Sequence, residues 1–571
     1  MHKRWIIREK GSSSEVKKLS EELNIDESIA NLLVQREILD FESAKKFFRP
    51  SLDDMHDPFL MKGMKDAVNR IKEAIRKEEK ILVYGDYDVD GTTAVSLVYA
   101  YLSKFTEAIS YYIPDRYKEG YGVSYQGIDF AVDNDFSLII ALDCGVKAVE
   151  KIAYAKEKGV DFIVCDHHKP GDQLPDGIVL NPKQKDCDYP YKELSGCGVG
   201  FKLIQALAEG KEDVIEFLDL VAVSIAADIV PITGENRVLA YFGLKKINSN
   251  PRKGIQELLD LAERKGEITV TDLVFVVGPR INAAGRIDRG SKAVDFLIAD
   301  DMETIKEIGK SINVNNSDRR ELDKSITQEA LEMIAQDNWY ASAKTTVLFK
   351  EDWHKGVIGI VASRVIEHHY KPTIILTESN GKATGSARSI AGFDVYEALE
   401  KCADLMEQFG GHKYAAGMTM DIKMVPEFRK RFDKVVSELI SDEQLIPEIK
   451  IDTELSFGEI KENAKDVFPK FYRIIKQFAP FGPGNMKPTF VSRNVLDSGN
   501  GKIVGDDHLK LTLVQEPEDK IQLSGIGFNL GGHYENVLSK KPFDIVYNIE
   551  ENEWNGNVTL QANIKDIQFP S

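Results

Sequence analysis

Four clusters of acidic residues and histidines stand just past short apolar runs, and their chemistry is that of a divalent-metal site. Gly85-Asp86-Tyr87-Asp88-Val89-Asp90-Gly91 follows Ile81-Leu82-Val83-Tyr84, and Asp143-Cys144-Gly145 follows Leu138-Ile139-Ile140-Ala141-Leu142. Asp166-His167-His168 follows Phe162-Ile163-Val164-Cys165, and Asp228 lies in Ala226-Ala227-Asp228-Ile229-Val230-Pro231. Carboxylates alternating along five residues raise one another's pKa unless a cation sits among them. Carboxylates with one or two imidazoles favour Mn2+ or Mg2+ over zinc, which more often takes Cys or several His. A carboxylate such as Asp143 can bridge two ions about 3.5–4 Å apart, the spacing of two-metal phosphoester hydrolases. Taken singly, Asp143 reads as a helix cap and Asp-x-Asp as a turn. Adjacent histidines after a buried strand gain nothing for packing, and the four clusters together are hard to explain by structure alone.

The elements that must position these residues are parallel strands. Short apolar runs flanked by amphipathic helical stretches predict an α/β sheet, whose ligands bind beyond the carboxyl ends of the strands. Three clusters then converge on one sheet edge. From Lys80 to about Asp300 strand and helix patterns alternate. Thr92–Lys104 and Val146–Lys158 are the clearest crossover helices, with their amide ends toward the site. Residues 1–75 read as a helical lead-in packed on the core. Residues 76–300 read as the catalytic domain and 301–340 as a connecting helix, which has no Gly after Gly309 and no Pro up to Gln336. Residues 341–445 read as a second α/β domain. Residues 446–571 turn strand-rich, with Thr489-Phe490-Val491, Leu509–Leu513 and Val558–Ala562, and suggest a small barrel of the OB type.

At this point the motifs resemble a known set. Asp-x-Asp-x-Asp-Gly, Asp-Cys-Gly, Asp-His-His and Ala-Ala-Asp, in this order, look like the four motifs of the DHH phosphoesterase superfamily. Gly278-Pro279-Arg280-Ile281-Asn282-Ala283-Ala284-Gly285-Arg286 resembles the segment after the catalytic core in RecJ-type exonucleases. Trp353–Arg364, Gly385-Ser386-Ala387-Arg388-Ser389 and Gly410-Gly411-His412 resemble the DHHA1 domain, and Pro480-Phe481-Gly482-Pro483-Gly484-Asn485 resembles the entry to the RecJ OB domain. The resemblance covers roughly residues 45 to 570. It implies a DHH parallel-sheet core joined by a long helix to an α/β DHHA1 domain, with a C-terminal OB-like β-barrel.

The resemblance also implies an activity: a single-stranded-DNA-specific, 5′-to-3′ exonuclease of DNA repair and recombination, using two Mn2+ or Mg2+ ions. Asp88, Asp90, Asp143, His167 and Asp228 would be metal ligands, and Asp86 a ligand or its immediate support. Asp143 and His168 would act in catalysis, His168 beside the scissile phosphate. Asp166 fits better as a residue that orients an imidazole. Ser386 and Arg388, with Arg116 from the catalytic domain, would hold the 5′-phosphate. Arg280, Asn282 and His412 would contact nucleic acid. A tight turn at Gly385–Arg388, with its amides, a hydroxyl and a guanidinium, suits a terminal phosphate. Tyr84, Tyr87, Tyr117, Tyr121 and Tyr125 are candidates for stacking on bases, though several could simply pack the sheet edge. His354 and His412 also have a plain reading as capped or buried imidazoles, and His368-His369 receives no role. Single-strand-binding protein and a RecQ-like helicase are the partners the resemblance implies.

The 571 residues exceed one ordinary domain, and 43% are apolar, as in globular chains. No run of eighteen apolar residues and no signal-peptide core occurs. Five cysteines without zinc spacing predict a reduced, cytoplasmic protein. A net charge of −18 weighs against a nucleic-acid partner, unless a local basic channel exists. Residues 354–388 carry Lys355, Arg364, Lys371, Lys382 and Arg388 against Glu367 and Glu378. Two other readings stay open. One is a DHH/DHHA1 phosphodiesterase of short oligonucleotides or cyclic dinucleotides, which would not need the long segment after Pro447. The other is a non-catalytic DNA-binding scaffold, which the intact acidic motifs disfavour.

Overall fold

The computed structural model describes residues 3–116, 118–208, 210, 212–287, 290–461, 467–516, 521–554 and 556–569; the side chains of residues 212, 285–287 and 554 are excepted. Two compact units result. One comprises Ile7–Asn313 with Lys450–Ser571, the other Met1–Ile6 with Val314–Ile449.

The first unit holds the parallel sheet. Its strands run in the order Ile109–Tyr112, Lys80–Gly85, Phe136–Leu142, Asp161–Cys165, Ile178–Leu180. Alternate residues of each strand enter two cores. Ile81, Val83, Ile140 and Ile163 face helices Met64–Arg76, Val89–Leu102, Gly196–Leu207 and Leu218–Ala227. Leu82, Tyr84, Ile139 and Val164 face helices Tyr125–Asp133 and Val149–Glu157. Burial on both faces is why these strands are apolar throughout rather than alternating. The register pairs Gly85 with Leu142, Leu142 with Cys165, and Cys165 with Leu180. The strands therefore end level, and Asp86, Asp143 and Asp166 each stand one residue past the same edge.

The same unit contains the C-terminal domain. Its seven strands run in the order Thr453–Glu454, Phe490–Asp497, Phe543–Trp554, Asn557–Gln568, Leu523–Gly527, His508–Val514, Lys502–Val504. A further pairing of Leu496 with Val514 and Asp497 with Leu513 carries the hydrogen bonding round a circuit of five strands. Of the expected helical lead-in, residues 1–75, helix Met64–Arg76 packs on the parallel sheet, whereas the helices before it pack on this C-terminal domain. Leu19, Ile29, Leu32, Leu33 and Phe47 share one core with Phe457, Phe471, Phe478, Phe490 and Tyr547. Each fully buried side chain of this size contributes about 1.5–3 kcal/mol, so the first fifty residues and the last hundred-odd stabilise each other.

In the second unit a mixed sheet runs Gln408–His412, Ala415–Met420, Lys382–Arg388, Thr373–Ser379, Thr346–Phe349. Helix Met302–Gln336 spans 35 residues, and the boundary between the units falls within it. Its later turns bury Ile326, Ala330 and Ile334 against Val361, Ala362 and Val365 of helix Ile358–His368. Among the described residues no helix is long and apolar enough to cross a membrane.

Candidate metal centre

The level strand ends gather the acidic clusters, and hydrogen bonds then sort them into two kinds. The first kind accepts hydrogen bonds from the surrounding fold, mostly from backbone amides. Asp86 accepts from Tyr87 N at 2.6 Å and Gly122 N at 2.9 Å. Asp90 accepts from Gly196 N and Cys197 N at 2.7 Å each, at the start of helix Gly196–Leu207, and from Ser224 Oγ at 2.7 Å. Asp88 caps helix Val89–Leu102 through Gly91 N at 3.0 Å. Asp166 accepts from Val146 N at 2.9 Å and from His168 Nδ1 at 2.8 Å.

The second kind is left over. Asp143 Oδ1, His167 Nδ1 and His167 Nε2 are buried, with no hydrogen-bond partner among the described residues. His167 Nε2 lies 3.2 Å from Asp143 Oδ1, 3.5 Å from Asp228 Oδ2 and 3.8 Å from Asp90 Oδ2. Ligand atoms of Asp90, His167 and Asp228 lie within 4.8 Å of one another, and so do those of Asp143, His167 and His168. Asp143 adopts φ +58, a backbone strain of the kind that clusters at functional sites. Gly196 leaves the room it needs, because a Cβ there would come within 2.6 Å of the Asp143 carboxylate.

The electrostatics point the same way. Burial, then Asp90 and Asp88, push the Asp143 carboxyl well above its ordinary range. Burial, then Asp90, lifts Asp228 to about 8. Burial also lowers His167, so its imidazole is neutral and able to ligate. His168 differs. Burial would lower it, but the hydrogen bond and charge of Asp166 prevail and hold it raised. Burial would raise Asp166, yet the His168 hydrogen bond leads the contacts that keep it low. Each member of the pair favours the charged form of the other, and Asp166 fixes the imidazole beside the cluster. Buried carboxylates without counter-charge, orphaned donor and acceptor atoms, and a neutral imidazole among them fit one or two divalent cations with oxygen and nitrogen ligands.

Around this centre, the Arg116 guanidinium lies 4.8 Å from the centre of the Tyr87 ring. Tyr87 meets Tyr121 edge-on at 5.9 Å, and Tyr121 meets His168 at 6.2 Å. Tyr84 is core: it is buried, stacks on Tyr112 and donates to Gly122 O. Tyr125 packs on Tyr154, and Tyr117 lies outside the described residues. Arg280 is buried and donates to Asn313 Oδ1 and Val276 O. Asn282 is half-buried on the same helix, Gly278–Ile287. That helix follows a π-helical turn, Leu273–Val277, a feature common at functional sites.

In the second unit, Gly385–Arg388 is not the tight turn expected but part of strand Lys382–Arg388, whose amides face neighbouring strands. Alternation puts Ser386 and Arg388 on one face. Arg388 Nη1 donates to Ser386 Oγ and Ala387 O, each at 2.8 Å. A Cβ at Gly359 would come within 2.8 Å of Arg388 and 3.0 Å of Ser386, so the first turn of helix Ile358–His368 lies over both. Burial alone lowers the Arg388 guanidinium. Arg388, Ser363 and Tyr414 line an open cavity of about 430 Å³. His412 is exposed at the end of the edge strand Gln408–His412. The basic excess of residues 354–388 is partly spent internally. Arg364 pairs with Asp323, Lys382 with Glu407, and Lys371 donates to Tyr340 O and Ala343 O.

Three family models match the chain: the DHH family N-terminal domain over residues 80–225, the DHHA1 domain over 342–438 and the RecJ OB domain over 451–566. The single-stranded-DNA-specific exonuclease RecJ of Bacillus subtilis is 39% identical over 99% of this chain and 70% of its own length. The enzyme of that name from Haemophilus influenzae is 33% identical over 91% and 92%. Crystal structures of RecJ from Thermus thermophilus with Mn2+ and with Mg2+ cover 100% of this chain and 80% and 79% of theirs. Both are 26% identical to it, with TM-scores of 0.84 and 0.78.

Proposed function

The chain belongs to the RecJ family, and from that premise we propose that it hydrolyses single-stranded DNA from the 5′ end with two divalent ions, in DNA repair and recombination. The observation that carries the reading is the unpartnered His167 Nε2, with three carboxylates 3.2–3.8 Å away. Asp88, Asp90, Asp143, His167 and Asp228 would hold Mn2+ or Mg2+. Asp86, which accepts from Tyr87 N and Gly122 N, would be a further ligand or the immediate support of one. When bound, such an ion pair supplies an activated water and neutralises the attacking and leaving oxygens. The chain's own contribution is to fix the ligands through the level strand ends and the amides of helix Gly196–Leu207. His168 would hold a proton on its imidazole, with Nδ1 tied to Asp166 and Nε2 left to donate to a phosphate oxygen.

Ser386, Arg388 and Arg116 would bind the 5′-phosphate; a desolvated guanidinium with no carboxylate partner among the described residues, beside a hydroxyl and a helix N-terminus, suits that dianion. Arg280, Asn282 and His412 would contact the strand, and Tyr87 and Tyr121 could stack on its first bases. The RecJ OB match over 451–566 favours a long strand over a dinucleotide. Single-strand-binding protein and a RecQ-like helicase are proposed partners. The cytoplasm is the proposed compartment, in keeping with five free, buried cysteines.

The test is degradation of 5′- and 3′-labelled single strands with Mn2+, Mg2+ or EDTA. Release of the 5′ label first, with either metal and not with EDTA, is expected. Cleavage of duplex DNA at equal rate, or cleavage in EDTA, would overturn the reading.

A further inference from the structure

Asp228 is held differently from the other acidic residues. Among the described residues no hydrogen bond reaches its carboxylate, and its side chain keeps 31% of its exposure. It ends helix Leu218–Ala227, and the next residue, Ile229, is exposed with φ +59. The chain is caught again four residues on. Ile232 is buried, and its N–H donates to Pro483 O at 2.7 Å. Pro483 belongs to a turn of the C-terminal domain just before strand Phe490–Asp497, closed by Gly482 N to Asn485 O at 3.0 Å and Asn485 N to Gly482 O at 2.9 Å. A Cβ on Gly482 would stand 2.5 Å from Ile232, and one on Gly484, at φ +73, would stand 2.8 Å from Thr233 and 3.5 Å from Pro231. From the catalytic side Tyr191 and Asn236 bind Pro231 O at 3.1 and 3.0 Å.

A second bond line runs through Arg237, one turn into helix Gly234–Ser249. Its buried guanidinium donates to Phe47 O, Phe478 O and Ala479 O at 2.9 Å each and lies 3.9 Å from the Phe47 ring centre. Asn485 returns to the same carbonyl group, donating to Phe478 O and Pro480 O.

We infer that the turn Gly482–Asn485, tied through Asn485 to the carbonyls that Arg237 holds, is a positioning element for Asp228, so that the C-terminal domain helps to build the metal site as well as offering surface to DNA. The inference rests on the proposal that Asp228 holds a metal ion. It makes Pro483, Gly484 and Arg237 positioning residues for a carboxylate they do not touch. Its physical basis is the shortness of the loop: four residues between a helix end and a fixed anchor leave Asp228 little freedom, and an anchor that shifts carries the carboxylate with it.

The test uses the full chain with Gly484→Val, which sets a branched side chain against Thr233 at a positive φ, and the milder Ile232→Ala, which removes the side chain seated on Gly482. Calorimetry with MnCl2 should show one ion bound about 10–100-fold more weakly, the range for lost support of a ligand. The Mn2+ concentration for half-maximal cleavage should rise by a similar factor, and excess Mn2+ should restore kcat on a dinucleotide and a long strand alike. Unchanged Mn2+ affinity in folded variants, with KM raised on the long strand only, would overturn the inference and leave the turn a DNA-binding role. If the unaltered protein bound no Mn2+, the metal assignment itself would fall, and the inference with it.

Discussion

Past the ends of the parallel strands, Asp90, Asp143 and Asp228 crowd one neutral imidazole, and no lysine or arginine pairs with them among the described residues. On strand Lys382–Arg388 the imbalance is reversed. Arg388 is drawn out of water with a hydroxyl and a carbonyl for partners and no carboxylate among the described residues. Arg237 shows what a buried cation looks like when the fold alone satisfies it. Carbonyls of Phe47, Gln477, Phe478, Ala479 and Pro480 surround it, and burial lowers it to about 10 without leaving a donor idle. Desolvation by itself does not mark a site. What sets the two regions apart is a desolvated charge whose bonding capacity the fold leaves partly unfilled, of a sign that suits cations at the first and the proposed 5′-phosphate at the second.

The largest break in this comparison is Asp143→Ala. It removes the carboxylate proposed to bridge two ions, and hydrolysis of a labelled single strand should be lost with the fold intact. Retention of more than about a tenth of kcat, an effect under roughly 1.4 kcal/mol, would remove Asp143 from that role. Next come the two histidines. His167→Ala should weaken Mn2+ binding by more than the roughly 10–100-fold typical of an outer support, whereas His168→Ala should lower kcat and leave affinity within about tenfold. Equal affinity losses by calorimetry would erase the distinction between a ligating and a proton-holding imidazole. At the second region, Arg388→Ala removes a charge-assisted bond worth about 1.5–3 kcal/mol. The kcat/KM preference for 5′-phosphate over 5′-hydroxyl ends should fall about 10- to 100-fold while Mn2+ affinity stays unchanged. A constant ratio would take Arg388 out of phosphate recognition.

The smallest effect is on stability. With no cation present, burial and then Asp90 push Asp228 up to about 8. A carboxyl whose native pKa exceeds its unfolded one stabilises the protonated fold, so the metal-free protein loses stability as pH rises from about 4 to about 8. Metal binding displaces those protons. Mn2+ should therefore raise Tm more at pH 8 than at pH 6, by an amount of the order of a few °C. A shift that is larger at pH 6 would contradict the charge account.

The acidic clusters were legible because each follows a buried strand, and parallel pairing with level ends needs only that the strands be read correctly. What hydrogen bonds do to each carboxylate was not legible. Asp86 accepts from Gly122 and Asp90 from Gly196 and Cys197, partners brought near by tertiary folding. The Ser386–Arg388 strand escaped because its buried positions are Ala383, Gly385 and Ala387, too small to give the apolar alternation that marks a strand. The helical lead-in was legible as helices, but its amphipathic faces do not say which core they enter. That its first three helices join a domain beginning near residue 450 depends on contacts across most of the chain. The same remoteness hid the anchoring of the Asp228 loop by Pro483.

The central claim is that the uncompensated carboxylates around His167 hold a pair of metal ions, and anomalous scattering at the manganese edge, from crystals grown with Mn2+, tests it most directly. The account predicts two peaks about 3.5–4 Å apart within bonding distance of Asp88, Asp90, Asp143, His167 and Asp228. An empty cluster, or manganese bound only elsewhere on the chain, would contradict it.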